Sequence, residues 1–392
     1  MADPLNALLR QTARSFYLTL RVLPAAVRPQ IGLAYLLART TDTIADTEIV
    51  PPAQRIAALQ KLRERILGQS SAPLNFGELA RQQGRPAEKL LLEKVEASLA
   101  LLQTLSPADL TLVRDVLVTI TSGQELDLRR FGSLIQSTST LTPALSPAER
   151  GNAADASAHP TASTSSQRGN EKLPLLGERA GVRAEPPTKI IALATAAELD
   201  DYTYRVAGCV GGFWTKICRA HLFPDARLDE PQFIADGIRF GKGLQLVNIL
   251  RDLPADLKNG RCYLPMQSLD EAKLPPEDLF LPANAEKLLK LYHTQLDQAE
   301  AHLAAGWNYT NTLPFGQFRV RLACAWPVLI GLKTIKKLRT ANPVELQQRV
   351  KISRGEVWRI IFISLLACPV PFLWRNLCAS AANAVASGNE LA

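Results

Sequence analysis

The chain has 392 residues, of which 47% are hydrophobic and 21% charged, and 45 basic against 37 acidic residues give a net charge of +8. This composition excludes a disordered chain, and the positive charge favours an anionic partner such as phosphate, nucleic acid or a charged membrane surface. The six dispersed cysteines and the four histidines without metal-ligand spacing exclude a disulfide framework and a thiolate zinc site, so any metal should have oxygen ligands, as magnesium does.

Apolar residues recur at intervals of three and four along most of the chain, which is the spacing of amphipathic helices. Ile56, Leu59, Leu62 and Ile66 show it first. Further helical patterns cover residues 88–105, 109–130, 190–220, 232–253, 284–306 and 316–338. Alternating patterns long enough for strands are missing from the sequence. We therefore predict an all-α protein built as a single large helical bundle.

Residues 134–187 interrupt this pattern with a segment rich in Ser, Thr, Pro, Ala and Gly. Such a segment cannot bury enough apolar surface to offset the entropy that is lost on ordering. We predict a disordered, low-complexity insertion within one domain that spans residues 1–392. A linker between two domains is the alternative, and retained activity after removal of residues 136–186 would favour the insertion.

The longest apolar run covers residues 360–374 and contains Pro369 and Pro371. It is shorter than the roughly 20 residues that a membrane-spanning helix requires, so we predict a buried or interfacial helix. The N-terminus lacks the pattern of a secretory signal, and we expect a cytoplasmic protein. Together with Arg359, the apolar run is a candidate for peripheral contact with a membrane.

Carboxylate spacing is the strongest chemical signal, because the sequence contains no GxxxxGK[ST] phosphate loop, no GxGxxG after a strand and no GxSxG elbow. The pattern DxxxD occurs at residues 42–46, 225–229 and 252–256. The pattern at 225–229 lies between two prolines and lacks apolar periodicity, so we predict a loop there.

The first aspartate pair belongs to a predicted helix in which Tyr35, Arg39, Asp42 and Asp46 follow one another at steps of four, three and four. These four side chains therefore share one helix face. Two carboxylates one turn apart can jointly ligate magnesium, and the Arg39 guanidinium can bind phosphate oxygens. A solvated face with an ordinary Arg–Asp ion pair is the alternative.

The second pair lies in GLQLVNILRDLPADLKNGRCYLP, where Gln245, Asn248 and Asp252 share one face of a helix. Pro254 lies between Asp252 and Asp256. Because proline cannot donate a backbone hydrogen bond and clashes with the preceding turn, we predict that the helix kinks or ends there. The basic residues around this pair, which suit a metal-bridged diphosphate, are Arg251, Lys258 and Arg261.

Two acidic clusters of this kind suit the departure of a diphosphate from an allylic carbon. Carboxylates alone would repel the leaving group, by about 4 kcal/mol for two close unit charges at an effective dielectric constant near 20. Divalent cations between them reverse the sign of this interaction, and an apolar cavity protects the resulting carbocation from water.

At these residues the sequence resembles the squalene/phytoene synthase family, whose members condense two prenyl diphosphates head to head. The resemblance covers most of the chain outside residues 134–187, and TARSFY, DTIAD, DDYTYRVAGCVGGFW and QLVNILRDLPADLKNGRCYLP carry it in order. It implies the isoprenoid synthase fold, which is an all-α bundle with a central apolar cavity. It also implies a prenyltransferase that binds farnesyl diphosphate and no nucleic acid.

The resemblance implies a role for several residues. The implied Mg²⁺ ligands are Asp42, Asp46, Asn248, Asp252 and Asp256. The implied substrate contacts are Arg14, Ser15, Phe16, Tyr35, Arg39, Val206, Val210, Gln245, Asn248, Arg251 and Arg261. Tyr202 matches a tyrosine proposed to assist proton removal and joins the four aspartates in the implied catalytic set, whereas a core aromatic with a satisfied hydroxyl is the alternative. Small residues follow it, and we expect them both to line the pocket and to permit close helix packing.

Within the family, the resemblance is greatest to squalene synthases. The segment RVKISRGEVW resembles their loop that closes over NADPH, which implies that Lys351, Ser353 and Arg354 face the dinucleotide phosphates within a C-terminal flap and apolar helix at residues 345–392. An exposed basic loop is the alternative. The implied reaction is Mg-dependent formation of presqualene diphosphate followed by NADPH reduction to squalene, for sterol or hopanoid biosynthesis. A non-reductive member, which makes presqualene diphosphate, hydroxysqualene, dehydrosqualene or phytoene, and a non-catalytic scaffold are the alternatives.

Overall fold

The computed structural model describes residues 3–13, 16–139, 189–343 and 350–383, which form sixteen α-helices and two short strands. The helices are α1 (Asp3–Thr12), α2 (Phe16–Val22), α3 (Arg28–Ala45), α4 (Pro52–Leu67), α5 (Gly77–Arg81), α6 (Pro86–Glu93), α7 (Val95–Leu102), α8 (Pro107–Ser139), α9 (Ala196–Thr203), α10 (Cys209–Leu222), α11 (Glu230–Lys258), α12 (Met266–Glu271), α13 (Ala285–Thr312), α14 (Phe318–Arg339), α15 (Arg354–Ala367) and α16 (Pro371–Asn383). The strands are β1 (Ile191–Leu193) and β2 (Arg261–Pro265). The predicted all-α class is confirmed.

Helix α11 is the centre of the bundle, and it packs against α10, α13 and α14. Helix α8 packs against α3, α4 and α10. The predicted insertion falls between α8 and β1, and residues 140–188 lie outside the described residues. Helix α8 extends to Ser139, past the start that the sequence predicted for the insertion. The loop predicted at residues 225–229 is present, and Asp229 caps α11 by accepting a hydrogen bond from the Gln232 amide.

The two strands correct the helical pattern that was predicted for residues 190–220. Strand β1 pairs in parallel with β2, with Ile191 opposite Arg261. Helix α9 begins only at Ala196, because the Thr195 side chain accepts a hydrogen bond from the Glu198 amide and so caps the helix there. The preceding three apolar residues are therefore left to pair with β2, and this pairing fixes β2 beside the C-terminal end of α11.

Glycines bring α10 and α11 into unusually close contact. A Cβ atom added to Gly211 would lie 1.8 Å from the Gly237 carbonyl oxygen, and one added to Gly241 would lie 2.2 Å from the Ala207 oxygen. A Cβ atom at Gly212 would meet only the Ile238 side chain, at 3.6 Å. The glycines at 211 and 241 are therefore required for the helix spacing, whereas Gly212 is not.

Helix α11 passes through Pro254 and continues to Lys258, so it does not end at the proline. Because Pro254 has no N–H, the Leu250 carbonyl four residues earlier loses its usual partner. The hydroxyl of Tyr292 on α13, which is fully buried, donates to that carbonyl at 3.0 Å. This bond satisfies the buried oxygen, and Asp252 and Asp256 consequently stay one turn apart on a single helix.

The C-terminal apolar run forms two helices and not the single helix that was predicted. Helix α15 ends at Ala367 and α16 begins at Pro371, since the prolines at 369 and 371 interrupt the hydrogen-bond ladder. Trp326 on α14 anchors α15 by donating its indole N–H to the Ser364 hydroxyl at 2.9 Å. None of the helices that the structure describes combines the length and the apolar character needed to cross a membrane.

Candidate functional site

Both predicted aspartate pairs line one polar cavity of about 540 Å³. Helix α3 contributes Asp42, and Asp46 directly follows its last residue; helix α11 contributes Asp252 and Asp256. The other sequence-predicted residues in its wall are Arg39, Tyr202, Val206, Gln245, Asn248, Arg251 and Arg261. The fold thus brings the two acidic turns, which are more than 200 residues apart in the chain, to the same site.

Burial and mutual repulsion make it unfavourable for Asp42 and Asp46 to be negatively charged at the same time without a bound cation. Burial, and next the charge of Asp46, raise the pKa of Asp42 to about 6, although Arg39 and a hydrogen bond from Gln124 oppose the shift. The Asp42 side chain is 45% exposed to solvent in the cavity, which offsets part of this effect. Burial likewise raises the pKa of Asp46. A cation bound here would favour the charged form of both carboxylates.

Arginines hold fixed positions around the two pairs. Arg39 donates to Glu88 at 2.7 Å and lies 3.7 Å from Asp42. Arg251 binds both carboxylate oxygens of its neighbour Asp252 at 3.0 Å. Each guanidinium is therefore oriented by a carboxylate while it faces the cavity, where it can receive phosphate oxygens.

A tyrosine pair joins the cavity wall between the aspartates. Tyr202 stacks on Tyr263 with 5.0 Å between ring centroids, and the Tyr263 hydroxyl acts on the Tyr202 hydroxyl so as to lower its pKa, against the effect of burial. The Tyr263 hydroxyl in turn donates to Asp127, 2.9 and 3.1 Å from the two carboxylate oxygens. Burial is the main cause that raises the pKa of Tyr202 well above its usual range, and it also raises the pKa of Asp127 to about 6. Tyr202 therefore retains its proton at neutral pH.

The sequence interpretation missed Gln124 and Asp127 on α8, Tyr263 on β2 and Glu88 on α6. A signal existed for the first two, because they lie one turn apart on the predicted helix 109–130, as the aspartate pairs do. Gln124 is buried, but its burial cannot be predicted from its sequence neighbours Glu125 and Leu126. The partner of Glu88 is 49 residues away, and no local pattern indicates it.

The donor set fits magnesium that is shared with a diphosphate. Across the described residues, no three His, Cys, Asp or Glu side chains converge as a complete metal site. Mg²⁺ usually takes one or two carboxylates and completes its octahedron with water and substrate phosphate oxygens. The aspartate pairs at the end of α3 and on α11, together with the oxygen donors Gln245 and Asn248, would provide that kind of partial coordination in one cavity.

Two largely apolar cavities adjoin the polar one. Val206 borders both the polar cavity and an apolar one of about 180 Å³, which Val210 and Gly211 also line. Asn248 and Arg251 border both the polar cavity and a second apolar one of about 320 Å³. Apolar space thus begins directly behind the charged residues, as the predicted apolar cavity requires.

The remaining predicted residues that the structure describes lie outside this cavity wall. The Tyr35 hydroxyl donates to the Thr12 carbonyl at 3.3 Å. Phe16 begins α2, but its side chain, like Arg14 and Ser15 as a whole, lies outside the described residues. The implied dinucleotide contacts gather at the start of α15, where Lys351 and Arg354 are exposed and Ser353 caps the helix through the Glu356 amide.

A family model for squalene/phytoene synthase matches residues 9–356 of the chain. The chain belongs to the squalene/phytoene synthase family. This confirms the family that the sequence motifs predicted, which is a family of head-to-head prenyltransferases.

Curated members of the family match parts of the chain. The bifunctional lycopene cyclase/phytoene synthase of Gibberella fujikuroi is 30% identical over 176 residues, which cover 44% of this chain and 30% of that protein. The 15-cis-phytoene synthase of Synechocystis is 33% identical over 149 residues, covering 36% and 41%. The squalene synthase of Schizosaccharomyces pombe is 28% identical over 179 residues, covering 44% and 37%. The chain therefore matches less than half the length of each of these relatives.

Solved structures share the fold over nearly the whole chain. The ligand complex of TcSQS has a TM-score of 0.67 at 17% identity and covers 98% of this chain and 92% of that chain. A dehydrosqualene synthase in complex with ligand has a TM-score of 0.55 at 17% identity, covering 91% and 93%. The squalene synthase of Alicyclobacillus acidocaldarius has a TM-score of 0.51 at 16% identity, covering 86% and 92%. The isoprenoid synthase fold is thereby confirmed.

Proposed function

We propose that this family member is a squalene synthase, which condenses two farnesyl diphosphates to presqualene diphosphate and then reduces this intermediate to squalene with NADPH. The observation that carries the proposal is the polar cavity into which α3 and α11 each present an aspartate pair. Apolar cavities that share Val206, Asn248 and Arg251 with it offer space for prenyl chains.

The side chains divide the first reaction between diphosphate binding and protection of the cation. Asp42 and Asp46 on one side, and Asp252 and Asp256 on the other, would hold Mg²⁺, with Asn248 and Gln245 as further oxygen donors. When bound, Mg²⁺ neutralises the charge that develops on the departing diphosphate. Arg39, Arg251 and Arg261 orient the phosphate oxygens. The apolar walls exclude water, so the allylic cation meets the double bond of the second substrate first.

Helix α15 supports the reductive second step. Its inner side chains Val357 and Ile361 line the 320 Å³ cavity, which also contains Asn248 and Arg251. Lys351 and Arg354 lie exposed at its N-terminus, where basic side chains and free backbone N–H groups suit a phosphate. These groups would hold the phosphates of NADPH, which supplies hydride, near the apolar cavity that holds the intermediate.

A non-reductive reaction is the second candidate, and the similarity to phytoene synthases favours it. Incubation of the chain with farnesyl diphosphate and Mg²⁺, with and without NADPH, distinguishes the two by product analysis. We expect presqualene diphosphate without the reductant and squalene with it. Identical products under both conditions would contradict the reductive assignment, and products from geranylgeranyl diphosphate alone would identify a phytoene-type enzyme.

We also propose that α15 and α16 contact a membrane surface, because an apolar surface lies exposed beside basic residues. This C-terminal apolar surface consists of Trp358, Phe362, Leu365, Leu366, Phe372 and Leu373, whose exposed fractions lie between 48% and 73%. The side chains on α15 recur at helical spacing, opposite the buried Ile361 and Ser364. Exposed Arg359 and Arg375 flank the surface and complement anionic headgroups.

Vesicle sedimentation tests this contact. We expect the protein to sediment with vesicles that contain phosphatidylglycerol, and Phe362→Ser combined with Phe372→Ser to weaken binding by about tenfold, since each change removes apolar area from the interface. Leu281→Ser is the matched control, because Leu281 is similarly exposed but belongs to another segment. Equal binding of both variants and the wild-type protein would contradict the proposed surface.

A further inference from the structure

The position of Tyr202 poses a chemical problem for proton removal. Under the proposed function, formation of presqualene diphosphate requires a carbocation to lose a proton, and Tyr202 is one of the two tyrosines in the cavity wall, beside Tyr263. Because its own proton is retained at neutral pH, Tyr202 can accept a substrate proton only if it gives up its own at the same time. A second acceptor must therefore lie within hydrogen-bonding reach of its hydroxyl.

We infer that Tyr263 and Asp127 form a proton relay behind Tyr202, with the Asp127 carboxylate as the final acceptor. This inference rests on the proposed function and extends it to two residues for which the sequence motifs imply no role. Tyr263 belongs to β2 and Asp127 to α8, so three separate elements converge to build the chain of hydroxyl and carboxylate groups.

The contacts give the relay a continuous path. The Tyr202 hydroxyl interacts with the Tyr263 hydroxyl, and Tyr263 donates to Asp127 at 2.9 Å. The Tyr202 and Tyr263 rings are stacked, and Phe131 makes an edge-to-face contact with Tyr263 at 5.4 Å between centroids. Tyr263 is 6% exposed, so water has little access to its ring.

Each proton in this step has a defined donor and acceptor. A C–H bond of the carbocation breaks, and its electron pair closes the cyclopropane ring. The proton passes to the Tyr202 oxygen, the Tyr202 proton passes to Tyr263, and the Tyr263 proton passes to Asp127. Both tyrosines end neutral, and the carboxylate becomes a carboxylic acid. Burial favours this neutral form, since it raises the pKa of Asp127.

Asp127 is also suited to accept a proton because it does not belong to either of the two aspartate pairs proposed to bind metal. Among the described side chains, its hydrogen-bond partner is Tyr263, and Arg261 and Arg130 contribute favourable charge from nearby. The carboxylate is thus available when Asp42, Asp46, Asp252 and Asp256 bind metal. The departing diphosphate is the competing acceptor, and it needs neither Tyr263 nor Asp127.

Single-turnover product analysis of Asp127→Asn and Tyr263→Phe, with farnesyl diphosphate and Mg²⁺ and without NADPH, tests the relay. Both variants keep the shape of the wall and remove one proton acceptor. We expect presqualene diphosphate formation to fall about 100-fold, the magnitude of a lost general base. Diphosphate release should continue, with farnesol as the product of water capture. KM should change little, and the double variant should lose no more than either single variant.

Two controls separate the relay from a structural role. Asp127→Glu retains a carboxylate and should recover part of the activity, whereas Asp115→Asn, on the exposed side of the same helix, should behave as the wild-type protein. A wild-type ratio of presqualene diphosphate to farnesol in Asp127→Asn would overturn the relay and indicate the diphosphate as the acceptor. A raised KM with an unchanged product ratio would overturn it too. A wild-type protein that makes no presqualene diphosphate would overturn the proposed function itself.

Discussion

Asp42→Asn and Asp252→Asn are each expected to lower kcat/KM at least about 100-fold, because even an indirect partner of a metal ligand contributes 10–100-fold. The fold should persist. Burial raises the pKa of Asp42 to about 6, so the charged carboxylate that predominates at pH 7 is less favourable in the folded protein than in the unfolded chain. A neutral Asn therefore removes an unfavourable charge, and the melting temperature should stay unchanged or rise.

Diphosphate release measures the first expectation, and thermal unfolding with and without Mg²⁺ and farnesyl diphosphate measures the second. The wild-type protein should gain stability from the two ligands together, and either variant should lose that gain. Asp225→Asn is the matched control, since it alters an exposed loop aspartate with the same DxxxD spacing. Full activity and full ligand stabilisation in Asp42→Asn would contradict the metal assignment.

Gly211→Ala is expected to destabilise the protein by about 3 kcal/mol or more, the upper range for overpacked interiors. The added methyl group would lie 1.8 Å from the Gly237 carbonyl oxygen, and this atom belongs to the backbone of α11. No side-chain rotation can relieve the clash, so α10 and α11 must separate. The free energy of unfolding from urea titration measures the effect.

Gly212→Ala gives the matched comparison on the neighbouring residue of the same helix. Its added methyl group would meet the Ile238 side chain at 3.6 Å, which is an ordinary contact. We expect a change within about 0.5 kcal/mol, helped by the higher helix propensity of alanine. Similar losses in both variants would show that helix spacing is not the cause.

Helical periodicity was sufficient to predict the fold class and most helices, because amphipathic spacing is a local property of the chain. The aspartate pairs were likewise visible as DxxxD on predicted helix faces. Strand β1 was missed because three residues are too few for an alternating pattern, and its pairing partner β2 lies some 70 residues later. Pro369 and Pro371 indicated a break between α15 and α16. We nevertheless predicted one helix, because the run is almost entirely apolar.

The environment of each functional group required the structure. The Gln124–Asp42 bond joins residues 82 positions apart, and the Tyr263–Asp127 bond joins residues 136 apart. Neither pair has a sequence signature, since such contacts follow from how α3, α8 and β2 pack. For the same reason the sequence pointed to four aspartates that line the cavity, but it missed Asp127 and could not indicate which carboxyl groups have a pKa altered by burial.

The bond between Tyr292 and the Leu250 carbonyl also fixes how far α11 is shifted along its axis relative to α13. Sliding either helix by one residue would break this bond and leave a buried backbone oxygen without a donor, at a cost of about 1–3 kcal/mol. Because Pro254 leaves the Leu250 carbonyl without a partner inside the helix, that carbonyl is available to Tyr292, and the resulting bond fixes the position of α11 along α13. The position of Asp252 and Asp256 in the cavity thus depends on α13, a helix that carries none of the proposed metal ligands.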